Sequence, residues 1–390
     1  VVAATLTGTT AFVTGAAAEP TATGTEQATS QQATGAAITP VTAGASAGYG
    51  HTCAVRADGS LWCWGYNKFG QVGDGTTTNR TSPVRVGADT TWANVSVGTS
   101  HSCAIRTDGS LWCWGYNLDA QVGDGTTTNQ AIPVQVGSDT TWATVTAGNS
   151  HTCATRTDGS LWCWGYNGFG QLGDGTTTAQ TAPAQVGTAT TWAKVAIGFG
   201  HTCAIRTDGT LWCWGYNRDA QLGDGTTTYR RTPIQVGTAT TWANVANGFG
   251  HTCATRTDGS LWCWGDNRDG QLGDGTMTYR MAPVQVGSVR TWANVTAGYT
   301  YSCATRTDGS LWCWGDNGYG QLGNGTTTYR LSPVRAGSAT TWANVNAGFY
   351  HTCATRTDGA VWCWGDNKYG QAGDGTTTYP KAQVQATIPG

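Results

Sequence analysis

Fourteen cysteines are the residues of this chain best placed to do chemistry. They fall in seven pairs, each ten positions apart: Cys53 and Cys63, Cys103 and Cys113, Cys153 and Cys163, Cys203 and Cys213, Cys253 and Cys263, Cys303 and Cys313, Cys353 and Cys363. An Asp-Gly stands inside each pair, as in His51-Thr52-Cys53-Ala54-Val55-Arg56-Ala57-Asp58-Gly59-Ser60-Leu61-Trp62-Cys63-Trp64-Gly65. Two short apolar runs around such a turn read as a β-hairpin. With Ala57-Asp58-Gly59 as a three-residue loop and Gly59 left-handed, Arg56 pairs with Ser60 and the ladder runs Val55 to Leu61, Ala54 to Trp62, Cys53 to Cys63. That last rung is not hydrogen-bonded, so its Cα atoms approach to about 4.5 Å, within reach of a disulfide. The spacing therefore predicts seven disulfides, one per hairpin.

Metal is the competing use of the same thiols, because His51, Cys53 and Cys63 offer soft ligands in every copy. Residues i and i+2 on a strand stand about 7 Å apart, too far to share one zinc at bonds of about 2.0–2.3 Å, and no fourth ligand recurs. No metal is expected. His51, His101, His151, His201, His251 and His351 read as structural hydrogen-bonding groups. Asp74-Gly75 and its copies read as turns, one carboxylate per loop being few for Ca²⁺. Glutamate occurs only at Glu19 and Glu26, and there is no nucleophile beside a His and an acid and no phosphate loop. The expectation is a non-enzyme without a cofactor.

These pairs must be positioned by a repeat. The stretch at His51 returns at His101, His151, His201, His251, Tyr301 and His351 with no insertion or deletion. A fixed long period marks units that bury their apolar faces only against neighbours. Each unit holds four short strands, for example 92–98, 102–106, 110–115 and 132–137. Four antiparallel strands taken seven times predict an all-β, seven-bladed β-propeller. Most of the 20 tryptophans recur as Trp-x-Trp pairs, and Trp92, Trp142, Trp192, Trp242, Trp292 and Trp342 open the inner strands; all read as core. In the first blade Thr42 stands where that tryptophan belongs, and Gly44 and Ala45 replace Asn and Val, so this is the weakest strand of the ring.

Residues 37–390 are thus read as the propeller and residues 1–36 as a low-complexity Ala/Thr/Gly tail. Ala16-Ala17-Ala18 before Glu19 resembles a small-residue cleavage site, so the tail reads as a signal remnant, a linker, or an assembly strand, the uncharged run 1–18 being competent to add to an open edge. Charged residues are 11% of the chain and the net charge is -2, with no basic cluster able to neutralise many phosphates. Nucleic acid and anionic membrane surfaces are therefore poor partners, and no membrane span is expected. Seven matched cysteine pairs would be hard to keep oxidised against cytosolic glutathione, which predicts a secreted, extracellular, periplasmic or cell-surface protein.

The Gly-His-Thr before a strand, the Asp-Gly turn, Trp64-Gly65, Asn67, Gly70-Gln71-x-Gly73 and Pro83 resemble the regulator-of-chromosome-condensation repeat family. The resemblance implies seven-bladed propellers, in agreement with the strand count, and a binding scaffold, of the secreted bacterial type with paired cysteines. Members include a nuclear exchange factor that binds chromatin and a secreted bacterial inhibitor that clamps β-lactamases with propeller loops.

Comparison of the internal copies shows which positions the fold leaves free. Three places vary: before the His (Tyr49, Phe199, Phe249, Tyr299, Phe349, Tyr350), after the Asn (Phe69, Phe169, Tyr319, Tyr369) and after the Thr run (Tyr229, Arg230, Tyr279, Arg280, Tyr329, Arg330, Tyr379). Loops after strands one and three emerge at the same end of a blade, so these residues share one face. Tyr, Phe and Arg are enriched at interface hot spots. The chain is accordingly read as a disulfide-stabilised binding scaffold for a protein or glycan ligand on this face. The alternatives are a subunit of an extracellular filament joined through residues 1–18, or an inhibitor of the β-lactamase-inhibitor propeller type.

Overall fold

The hairpin forms as its spacing requires. Gly59 takes φ of +75°, the Arg56 N–H donates to the Ser60 carbonyl at 2.9 Å, and Cys53 lies opposite Cys63. The same register returns in all seven copies, and each pair is bonded, with Cα atoms 4.0 to 4.1 Å apart. No described cysteine is free.

The computed structural model describes residues 44–389; the signal, linker and assembly readings of the tail lie outside the described residues. Those residues form seven four-stranded antiparallel sheets, each from four consecutive strands, set as the blades of a propeller. The first blade is Gly44–Ala47, His51–Val55, Leu61–Gly65 and Arg80–Arg85. The fourth is Trp192–Ile197, His201–Arg206, Leu211–Gly215 and Arg230–Gln235. The seventh ends in a two-residue outer strand, Val384–Gln385. Proline at 83, 133, 183, 233, 283 and 333 falls in the outer strands of the first six blades, where a missing N–H blunts an exposed sheet edge.

Both faces of a hairpin are buried because both meet a neighbouring blade. Cys53, Val55, Leu61 and Cys63 of the first blade pack against Trp92, Val97, Ala104 and Trp114 of the second. On the other face Ala54 and Trp64 pack against Cys353, Val361 and Cys363 of the seventh. This last seam closes the ring, and it is the most sparsely filled. Val361, Ala372 and Ala386 stand where the first seam has Leu61, Val72 and Val86, and no inner-strand tryptophan enters it. The weakness read at 42–45 is thus matched by small residues on the opposite side.

Histidine also joins blades. His51 Nε2 lies 3.0 Å from Ser102 Oγ, which donates to the Gln71 carbonyl at 3.0 Å, and Trp114 Nε1 donates to the same carbonyl at 2.9 Å. At the one position without histidine, the Tyr301 hydroxyl donates to the His351 carbonyl at 2.6 Å and lies 3.0 Å from Thr352 Oγ1, whose hydrogen goes to the Gln321 carbonyl at 2.8 Å. These rings are structural, as their sequence context suggests.

Candidate functional site: the loop face and the channel mouth

The chain approaches the central axis at the turn that follows each inner strand. Packing is so tight there that a Cβ on Gly98 would lie 2.3 Å from the Gly148 carbonyl oxygen, so the next residue carries the first side chain free to face the mouth. That position holds Phe199, Phe249, Tyr299, Phe349 and Tyr49, whose ring centroids follow one another at 4.4, 4.4, 4.9 and 5.1 Å. They form an aromatic collar over five blades, interrupted by Thr99 and Asn149 in the second and third. Tyr350 packs beside it, 5.5 Å from Tyr299, and burial, then the neighbouring phenols, push its hydroxyl up to about 12.

A second arc lies outside the first, on the loops after the third strands. Tyr369, Tyr66, Phe69 and Tyr116 run across the seventh, first and second blades at 4.5, 6.2 and 5.0 Å. Phe169, Tyr216 and Tyr229 do the same across the third and fourth. Comparing copies by variability passed over Tyr66, Tyr116, Tyr166 and Tyr216. The signal was present, because the same column becomes Asp266, Asp316 and Asp366 in the last three blades.

The face is therefore tyrosine-rich on one side and acidic on the other. Burial pushes the Asp219 carboxyl up, with Asp266 adding to it; burial, then Asp316 and Asp266, do the same to Asp269. Burial also pushes Asp266 up, but the hydrogen bonds and charge of Arg268, whose Nε lies 2.8 Å away, outweigh it and hold this carboxyl below its usual range.

At the outer rim Tyr229, Tyr279, Tyr329 and Tyr379 are 42, 56, 52 and 40% exposed, with Met277, Met281 and Ile132 also in the open. The arginines beside them are mostly committed. Arg80, Arg230 and Arg280 bind Asp74, Asp224 and Asp274 of their own blades at 2.6, 2.7 and 2.6 Å. Arg330 differs: Asn324 replaces that aspartate, and among the described residues Arg330 has no ion-pair partner. The Gly-Asp-Gly-Thr carboxylates are occupied as turn acceptors; Asp74 takes Thr76 N–H, Thr76 hydroxyl, Asn67 amide and Arg80.

At the other end of the blades, Arg106 lies between two indoles, its guanidinium carbon 4.7 Å from Trp92 and 4.2 Å from Trp112. The sandwich recurs through Arg356, so that in six of the seven blades the half-buried first tryptophan of the Trp-x-Trp pair finds its partner here. Sequence reasoning took these indoles as core without seeing the cation between them. The arginine that closes every second strand was the available sign. Arg56, facing no such tryptophan, donates instead to the Pro389 carbonyl.

Among family descriptions, the RCC1-like domain matches residues 143–389, and the regulator of chromosome condensation (RCC1) repeat matches residues 58–105 and 108–155. The chain belongs to the RCC1-like family. This RCC1-like propeller is similar to human WBSCR16, at 20% identity and a TM-score of 0.76 over 86% of this chain and 95% of that one. It is similar to yeast RCC1 (Prp20), crystallised with Kap60, at 18% identity and a TM-score of 0.76 over 84% of each chain. At these identities the likeness shows the fold alone. In sequence, 41 residues are 54% identical to the ultraviolet-B receptor UVR8 of Arabidopsis thaliana, a match spanning 10% of this chain and 9% of that one. No helix among the described residues is long and apolar enough to cross a membrane.

Proposed function

We propose that this RCC1-like propeller is a non-catalytic scaffold that captures a protein partner on its loop face and works outside the reducing cytosol. The observation that carries the reading is the gathering of exposed tyrosines and methionines at one end of the blades, on loops that a rigid ring holds in place. Large aromatic side chains give much contact area for little lost rotamer freedom, which is why they dominate binding energetics. Yeast Prp20 supports a scaffold role by likeness: it was crystallised with Kap60, and its binding to Gsp1p and histones has been described. Seven bonded cysteine pairs support an oxidising compartment.

The test is affinity capture from the fluid around the producing cells, followed by cross-linking mass spectrometry. A partner should cross-link to the rim and be lost from the combined Tyr229→Ala, Tyr279→Ala, Tyr329→Ala, Tyr379→Ala variant at unchanged melting temperature. Cross-links confined to the Arg–Trp end would overturn the assignment.

A further inference from the structure

Below the aromatic collar the inner strands enclose a cavity of about 310 Å³, which shares Ser46, Ser96 and Thr146 as lining with a second of about 290 Å³. The first reaches the lower end of the range of roughly 300–1,000 Å³ in which small-molecule sites fall. No charged side chain lines either cavity.

The wall has a defined polarity. Ser46 Oγ accepts the Val97 N–H at 3.0 Å, Ser96 Oγ the Ala147 N–H at 2.9 Å and Thr296 Oγ1 the Ala347 N–H at 3.1 Å. Each hydroxyl hydrogen is left to donate. Asn247 Nδ2 donates one hydrogen to the Ala196 carbonyl at 3.0 Å and Asn346 Nδ2 one to the Ala45 carbonyl at 2.6 Å, which fixes both amides and leaves the Asn346 oxygen as an acceptor. Asn247 Oδ1 and Asn94 Oδ1 are sealed from the channel and have no hydrogen-bond partner, so the acceptors and donors open to a ligand are the Ser46, Ser96 and Thr296 hydroxyls and the Asn346 oxygen.

Blade symmetry is broken at this spot. At this position four inner strands carry Asn94, Asn244, Asn294 and Asn344 and two carry Thr144 and Lys194, whereas the first blade has Gly44, and Ala45 follows where the others have valine. The missing side chains open the second lobe, which Gly44 and Ala45 line. Above it the collar is interrupted at Thr99 and Asn149, both of which line the main cavity.

We infer that the channel is a binding site for one neutral sugar residue, entering past Thr99 and Asn149. Fixed donors alternating with fixed acceptors suit hydroxyl groups, each of which gives and takes one bond. An ionic ligand would lose its hydration with no counter-charge, and a purely apolar one would leave the Ser46, Ser96 and Thr296 hydroxyls without acceptors. The apolar C–H face of a pyranose has Phe199, Phe249 and Tyr299 to lie against. This inference is independent of the rim: either can fail while the other stands.

The test is saturation-transfer difference NMR of the intact protein with glucose, galactose, mannose, N-acetylglucosamine and their disaccharides. At least one should receive saturation and be displaced by no anionic sugar of the same ring. Gly44→Asn, which restores the residue other blades carry and fills the lobe, should weaken it about tenfold while the melting temperature holds or rises. Phe249→Ala should do likewise, and Tyr279→Ala on the rim should leave it unchanged. Absence of transfer to every neutral sugar, or binding indifferent to both Gly44→Asn and Phe249→Ala, would overturn the inference.

Discussion

His201 of the fourth blade and Thr252 of the fifth meet with Nε2 and Oγ1 3.0 Å apart, and the direction of that bond is decided by a third group. The Thr252 hydroxyl spends its single hydrogen on the Gln221 carbonyl at 2.8 Å, so the imidazole must donate. Its Nδ1 is buried without a partner, and the ring is therefore held neutral. Burial lowers the pKa of five such histidines to about 3 and of His251 to about 4.

The unfolded chain takes up protons on these rings near pH 6.5 and the folded one does not, so stability is full above that value and falls as pH drops from about 6.5 toward about 3. Each histidine contributes about 1.4 kcal/mol per pH unit in that window. Carboxylates with lowered pKa, such as Asp74 and Asp58, add to the loss once pH falls through their ordinary value of 3.8. Urea midpoints at pH 7.5 and 5.0 should differ strongly, and His201→Gln, whose amide can also donate, should reduce the slope. Equal midpoints would refute the neutral-ring account.

Each disulfide closes a loop of separation 10. In the loop-entropy account, removing Cys203 and Cys213 together as Ala should cost roughly 2–3 kcal/mol. Because both sulfurs are fully buried, reductant without denaturant should leave them unalkylated. Thiol labelling of the folded protein by intact mass checks the second point, and urea unfolding the first.

Arg206 stacks between Trp192 and Trp212 at 4.6 and 4.1 Å, whereas Arg56 has no tryptophan pair. A partly desolvated cation–π contact is worth about 1–2 kcal/mol. Arg206→Ala should therefore destabilise by about that much or more, and Arg56→Ala by clearly less. Matched losses in the two variants would show that the indoles contribute nothing through the cation.

The closing seam is underfilled at Val361, Ala372 and Ala386. Combined Val361→Leu and Ala386→Val, which restore the Leu61 and Val86 of the first seam, should add about 0.5–2 kcal/mol. Native-state hydrogen exchange should find amides of 44–47 and 351–356 opening before those of 192–197 and 201–206. Uniform protection around the ring would contradict this.

Much of the architecture could be read from the chain because each blade is built from four consecutive strands. The Asp-Gly turn sets the register of Cys53 on Cys63, and alternation along His51–Val55 assigns Cys53 and Ala54 to opposite seams. Variability among copies also found the collar residues Phe249 and Tyr299 and the rim residues Tyr279 and Tyr329. It did not find Tyr66, which is constant over four copies, nor that Arg230 and Arg280 are already paired within their own loops.

Local order along one unit therefore determined strand pairing, covalent linkage and the end of the blade on which the variable residues lie, since those depend on contacts between neighbours in sequence. Closure of the ring decided the rest. Only when residues far apart in the chain, such as Tyr49 and Phe349, come together around one axis does a collar exist. Only then do Ser46, Asn247 and Asn346 face a shared cavity, because three-dimensional proximity around a ring is not a property of any single repeat.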